Sequence, residues 1–151
     1  QWEGVNTDGE GFVIACRHTG LNPEGRTLEI KGGGSTARSI ALSWTECGGK
    51  LSLLQGRRVL SDGPWMKSIA GEEVVPDVSI DTDIPPGHEQ ETKESRAKSL
   101  SIGYGESSGH GDFGVVMLVA QHLEAWRVLF APERIDELPS MEEVLQLLSV
   151  P

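Results

Sequence analysis

Three short stretches of this 151-residue chain bring together residue types that can do chemistry. The first is Asp81-Thr82-Asp83, followed by His88. Carboxylates two positions apart on an extended chain point to the same side, and with an imidazole they suit a hard divalent cation or a transition metal. Asp81, Asp83 and His88 are therefore the candidate metal ligands. The glycine and distal glutamate of an EF-hand are not at the required offsets, so a solvated loop explains the same residues. The second stretch, residues 103–114, reads GYGESSGHGDFG. His110 and Asp112 form a candidate acid–base pair, and Ser107 or Ser108 a candidate nucleophile. No G-x-S-x-G elbow is present, and a glycine-rich loop with Asp112 capping the next element accounts for the pattern. The third, residues 31–38, reads KGGGSTAR and resembles a phosphate cradle. It lacks the G-x-x-x-x-G-K-[ST] of a P-loop. Placed between two expected strands, it reads as a hairpin loop.

Arg57-Arg58, with Lys50 and Lys67 near in sequence, is the one basic cluster, and Trp44 and Trp65 flank it. A basic strip with aromatics suits single-stranded nucleic acid. The formal net charge of -10 opposes that use, because it repels phosphate at long range. Trp65 and Tyr104 are candidate stacking platforms or interface anchors, so the candidate binding residues are Trp65, Tyr104, Arg57 and Arg58. His18 and His122 stand alone in apolar settings, where a histidine is usually structural. Cys16 and Cys47 could close a loop of roughly 30 residues, but two cysteines make no framework. Nothing in the pattern requires a cofactor.

These side chains need elements to hold them. Residues 11–18 are rich in β-formers, residues 27–31 alternate, and residues 36–46 alternate more clearly, with Ile40, Leu42 and Trp44 on one side. Such period-2 patterning predicts half-buried strands. Gly48-Gly49 then predicts a hairpin into a strand over 50–54, and residues 65–69 read as one more strand. Short strands at about ten-residue spacing predict a mainly β to α+β fold, an antiparallel meander closed as a barrel or folded as a sandwich, with a C-terminal helix. Residues 1–151 are expected to form a single domain, with 76–97 a mobile polar loop inside it. Residues 98–104 are the best strand hidden in the irregular stretch. Residues 115–130 suit a helix, with Val116, Val119, Leu123, Trp126 and Phe130 on one stripe, and equally a hairpin of two strands. Ser140 followed by Glu143 is a capping box, which predicts a helix over 140–149.

Glycine is abundant at 19 residues, and no apolar run approaches the roughly 18 residues of a membrane span. The charge is concentrated in the C-terminal third. Together these features favour a soluble, non-enzymatic, acidic protein–protein binding domain, such as an assembly subunit or an inhibitor or immunity-type partner of a basic protein contacted partly by electrostatics. A small hydrolase or lyase using His110 and Asp112, with or without a metal, is the second reading. Carbohydrate or small-ligand binding on a β scaffold is the third. Nucleic acid is not the expected partner. Gln1 in place of Met leaves a processed or secreted chain open.

Overall fold

The computed structural model describes residues 4–84, 97–104, 108–109 and 111–149. Its centre is a four-stranded sheet in the order β2-β1-β3-β4. The strands are β1 (Thr27–Lys31), β2 (Lys50–Leu54), β3 (Val78–Asp81) and β4 (Lys98–Ser99). Every neighbouring pair is parallel: Leu28 registers with Leu51 on one side and with Val78 on the other. The helices are α1 (Asp8–His18), α2 (Ser35–Glu46), α3 (Phe113–Ala125) and α4 (Met141–Leu148). The antiparallel meander, and with it the barrel or sandwich, is therefore corrected to an open parallel α/β sheet. Parallel neighbours need a crossover, and α2 supplies it between β1 and β2.

Two expected strands are helices, for identifiable reasons. Over 8–18 the buried side includes Gly9, Phe12, Val13 and Cys16, the spacing of one helical face. Asp8 and Glu10 lie in the first turn and Arg17 and His18 in the last, the arrangement that complements the helix dipole. In α2, Ala37, Ile40, Ala41 and Trp44 are buried. Ile40 and Trp44 fit both periods, and Ala37 with Ala41 decides for the helix. The glycines of α1 set the helix packing. A Cβ on Gly9 would stand 2.2 Å from the Ser39 carbonyl oxygen, and one on Gly11 would stand 2.6 Å from the Gln121 Cβ. Backbone therefore approaches α2 at Gly9 and α3 at Gly11, and Phe12 fills the space between, against Trp44 and Phe113.

Strand β1 is central, with β2 and β3 on its two edges, and Thr27, Leu28, Glu29 and Ile30 are all buried, as expected of a parallel strand covered on both faces. Residues 50–54 are a strand as expected, but they pair with β1 and not with residues 36–46. Residues 64–68 make a 3-10 turn where a strand was expected. The strand hidden in 98–104 is confined to Lys98–Ser99. The stretch 115–130 is helical throughout, as α3 followed by a π-helical turn over Trp126–Phe130. The 18-residue run Phe113–Phe130 is long and apolar enough to cross a membrane, which corrects the expectation that no stretch approaches that length. Of this run 28% is buried inside the protein, including Val116, Met117, Val119 and Ala120. Trp126, expected on the buried stripe, is half-exposed. Helix α4 carries both halves of the capping box between Ser140 and Glu143.

Two contacts tie this framework together. Trp44 is fully buried, and its indole Nε1 donates to the Lys50 carbonyl at 3.0 Å, joining the end of α2 to the start of β2. Asp77 accepts from the Thr27 backbone N–H at 2.8 Å and from Arg26 Nη1 at 2.9 Å, which sets β3 against β1. The Thr27 hydrogen bond, followed by Arg26, holds the Asp77 carboxyl below the usual aspartate range. A lowered native pKa contributes stability above the unfolded value of about 4 that is lost as pH falls through the native value. Trp44→Ala is expected to cost about 3–5 kcal/mol in urea unfolding. Asp77→Asn is expected to lower stability at neutral pH and to flatten the acid limb, so urea midpoints between pH 5 and pH 2 should fall less than in the parent.

Candidate functional site

Parallel strands put all their C-terminal ends on one edge of the sheet. From β1 the chain crosses through α2 to β2 on one side, and later returns to β3 on the other. The crevice outside these ends, where strand order reverses, is where open α/β sheets take ligands. Three loop starts meet there: Gly32-Gly33-Gly34 after β1, Gln55-Gly56-Arg57-Arg58 after β2, and Thr82-Asp83 after β3.

Gly32 has φ of +106°, which L side chains rarely adopt. A Cβ there would also meet the Thr82 hydroxyl at 2.3 Å and Asp83 Oδ1 at 3.0 Å. On Gly33 it would meet the Val59 carbonyl oxygen at 2.2 Å, whereas on Gly34 it would meet nothing within 4 Å. The first two glycines are thus demanded by the packing, and the third faces open space. Gly34 is the N-cap of α2, with no side-chain cap and no acidic residue in the first turn. No acidic residue of α2 itself lies in that first turn, but the Asp8 carboxylate of α1 reaches it and accepts from the Thr36 hydroxyl at 2.7 Å. The backbone N–H groups there carry the positive end of the helix dipole. An anion fits there.

The residues from Gly32 to Ala37 (GGGSTA) also meet the spacing G-x-G-x-x-A that lies between a strand and a helix in dinucleotide-binding folds. The hairpin-loop expectation for 31–38 is corrected accordingly. The stretch fails the P-loop pattern but satisfies a different phosphate-binding one. The signal was visible in the sequence. It carries meaning only if a helix begins at residue 35, and the strand reading of 36–46 hid that.

The candidate residues distribute as follows. Asp81 and Asp83 do come together, but their carboxylates face cations and N–H groups. Asp81 pairs with Lys31 Nζ at 2.8 Å and accepts from the Asp83 backbone N–H at 2.9 Å. Asp83 accepts from the Arg57 backbone N–H at 2.5 Å, and Arg57 Nη2 donates to the Asp83 carbonyl at 2.8 Å. Among the described residues no group of His, Cys, Asp and Glu is arranged to hold a metal. His88 lies outside the described residues, as do His110 and Ser107. Asp112 stands at the N-cap position of α3, but its carboxylate turns back to the Gly109 N–H at 2.8 Å. Trp65 is 5% exposed and so has no free face for a sugar, while Tyr104 is exposed. Arg58 is exposed and has no hydrogen bond or ion pair among the described residues. Cys16 is a buried free thiol whose pKa burial pushes up to about 12, so it is unreactive.

An apolar cleft of about 510 Å³ runs between α3 and α4, lined by Leu118, Leu123, Trp126 and Val144 among others. It shares no residue with the glycine loop.

No family model matches the chain. Local stretches are similar to curated proteins described as shikimate dehydrogenase (NADP(+)). The Rubrobacter xylanophilus protein is 42% identical over 45 residues, 30% of this chain and 16% of that protein. The Alkaliphilus metalliredigens protein is 37% identical over 57 residues, 38% of this chain and 20% of that protein. Among solved structures, shikimate dehydrogenase 1 from Peptoclostridium difficile superposes with a TM-score of 0.58 at 15% identity, over 96% of this chain and 61% of that one. The aligned stretches thus span a fifth or less of these curated relatives, and the fold spans 61% of the solved neighbour. The parallel sheet is shared with that dehydrogenase. These likenesses overturn the expectation of a non-enzymatic binding domain on a β scaffold, together with the hydrolase and carbohydrate alternatives.

The loop geometry has a direct consequence. Gly33→Ala forces backbone of the 55–60 loop away from the glycine loop and is expected to cost about 1–3 kcal/mol in urea unfolding. Gly34→Ala meets open space and is expected to cost less than half as much in the same measurement.

Proposed function

We propose that this chain is the dinucleotide-holding part of a dehydrogenase similar to shikimate dehydrogenase, binding NADP(H) at the Gly32–Gly34 loop. The observation that carries the reading is the glycine loop itself: it sits where strand order reverses and opens onto the uncapped start of α2. The pyrophosphate fits over Gly34, whose missing side chain leaves the approach open, and accepts from the backbone N–H groups of Ser35 and Thr36. Arg57-Arg58, just past β2, stand where an arginine accommodates a 2′-phosphate. Arg58 is the guanidinium with no partner among the described residues. The local likeness to proteins described as shikimate dehydrogenase (NADP(+)) supports the same cofactor.

The nicotinamide supplies hydride transfer when bound, and this chain's residues bind and orient the dinucleotide. We assign the chain the holding of the cofactor. Shikimate as substrate rests on the relatives' description alone, and the chain spans 61% of the solved neighbour. The acidic overall charge is no obstacle, because charges beyond roughly 8–10 Å are screened at physiological salt while backbone N–H groups act in contact.

Isothermal titration of the 151-residue chain with NADPH tests this. Saturable binding with a one-to-one stoichiometry is expected. Arg58→Ala should weaken NADPH by about ten- to a hundredfold, the loss of one charge-assisted hydrogen-bonding group, and leave NADH within about threefold. Heat signals that do not saturate would overturn the reading.

A further inference from the structure

In open α/β sheets that take NAD, an acidic side chain about 20 residues past the glycine loop, at the end of the second strand, accepts from the ribose 2′-hydroxyl; an arginine nearby suits the 2′-phosphate of NADP. Here the end of β2 reads Leu54-Gln55-Gly56-Arg57-Arg58, with no acid. By its own strand, the chain is built for the phosphorylated ribose.

A carboxylate nevertheless reaches that place from the neighbouring strand. Asp83, just past β3, lies beside Gly56 and Gly32. A Cβ on Gly56 would stand 2.2 Å from Asp83 Oδ2, and one on Gly32 would stand 3.0 Å from Oδ1. The two missing side chains form the cradle that the carboxylate occupies. Asp83 is held there at both ends. Its Oδ2 accepts the Arg57 backbone N–H, its carbonyl accepts Arg57 Nη2, and its own N–H donates to Asp81 Oδ1. The Arg57 Nε lies 3.9 Å from Oδ1. The Asp83 side chain is only 15% exposed, so water screens its charge less than it would on an open surface.

We infer that Asp83 is a specificity-determining residue that weakens the site's preference for the 2′-phosphate, so that the unphosphorylated ribose is also admitted. This rests on the dinucleotide reading above and deepens it. Asp83 acts in two ways. Its carboxylate has lone pairs to accept from ribose hydroxyls, which NAD(H) offers at both the 2′ and 3′ positions and NADP(H) at only one. It also engages Arg57, leaving Arg58 as the guanidinium available to a 2′-phosphate, and a phosphate at that place would meet the carboxylate's like charge. The result is a chain that accepts both dinucleotides, where its arginine pair alone would select the phosphorylated one.

The test is the ratio of NADH to NADPH dissociation constants in the parent chain, in Asp83→Asn and in Asp83→Ser, by isothermal titration at two salt concentrations. Removing the charge should tighten NADPH by tenfold or more and leave NADH unchanged or weaker, with the change shrinking at high salt. A ratio within threefold of the parent in both variants, with binding retained, overturns it and leaves the dinucleotide reading standing. No saturable binding of either dinucleotide by any of the three chains overturns both. The two variants differ in size and hydrogen bonding, and melting curves recorded beside the titrations identify a variant that has lost its fold, in which case the other decides.

Discussion

The Lys31 carbonyl accepts hydrogen bonds from both the backbone N–H and the hydroxyl of Thr82, at 2.9 and 2.8 Å, and the candidate site depends on this junction. It ties the end of β1 to the end of β3 at the point where the chain must leave the sheet. Because Thr82 closes over Lys31, the next residue has no room for a Cβ and must turn with positive φ, so it is Gly32. That turn aims Gly33 against Val59 and leaves Gly34 open at the start of α2. The same junction carries Asp83 toward Gly56 and Arg57. One pair of hydrogen bonds between neighbouring strands thus fixes the glycine loop, the helix entry and the carboxylate that faces them.

Charge in this molecule is a local matter. The net value of -10 describes the whole chain, but the sheet's C-terminal edge is arranged in compensated pairs, Lys31 with Asp81 and Arg57 with Asp83. At that edge the exposed Arg58 has no partner among the described residues and favours an anion. The start of α2, which also favours one, already meets the Asp8 carboxylate at the Thr36 hydroxyl. Long-range repulsion would slow the arrival of a phosphate-bearing ligand and weaken with salt, whereas the contacts made on arrival are set within a few ångströms. Composition therefore bears on encounter more than on what the site holds.

Much of the local structure was present in the sequence, and the error lay in the period chosen. The capping box at Ser140 and Glu143 states its helix outright because it is a chemical motif with a fixed offset. Residues 27–31 and 50–54 read as strands and are strands. Residues 36–46 satisfied both periods because Ile40 and Trp44 sit four apart while Ile40, Leu42 and Trp44 alternate. The small residues Ala37 and Ala41, four apart and both buried, point to a helix packed closely on its neighbours. The dipole-matched charges of 8–18 pointed the same way. Once α2 is a strand, no crossover remains in the first half, and a parallel sheet is excluded by construction. The glycine loop was then judged only against the P-loop, and its G-x-G-x-x-A spacing had no helix to open. Arg57 and Arg58 stand out in the sequence as a basic pair that suits phosphate, and the sequence alone does not say which phosphate-bearing ligand. Asp83 was singled out for a metal, since no sequence rule foretells that a carboxylate from β3 will lie against a glycine that follows β2.

Fold and site carry different weights in the functional argument. A TM-score of 0.58 at 15% identity establishes a shared architecture, and open parallel sheets of this kind serve many unrelated activities. The local identities of 37–42% narrow the choice of relative but span too little of each protein to bring its chemistry along. What connects them is a set of positions that neither comparison needed: a glycine that must have positive φ, another with backbone pressed against it, and a third facing open space at a helix start. Close packing explains the first two. Gly34 has φ of -74° and room for a side chain, and its place at the N-cap of α2 suits glycine. A bare residue at the helix entry beside the strand crossover leaves the backbone N–H groups of α2 open to approach from outside, which is the feature the proposed dinucleotide site uses.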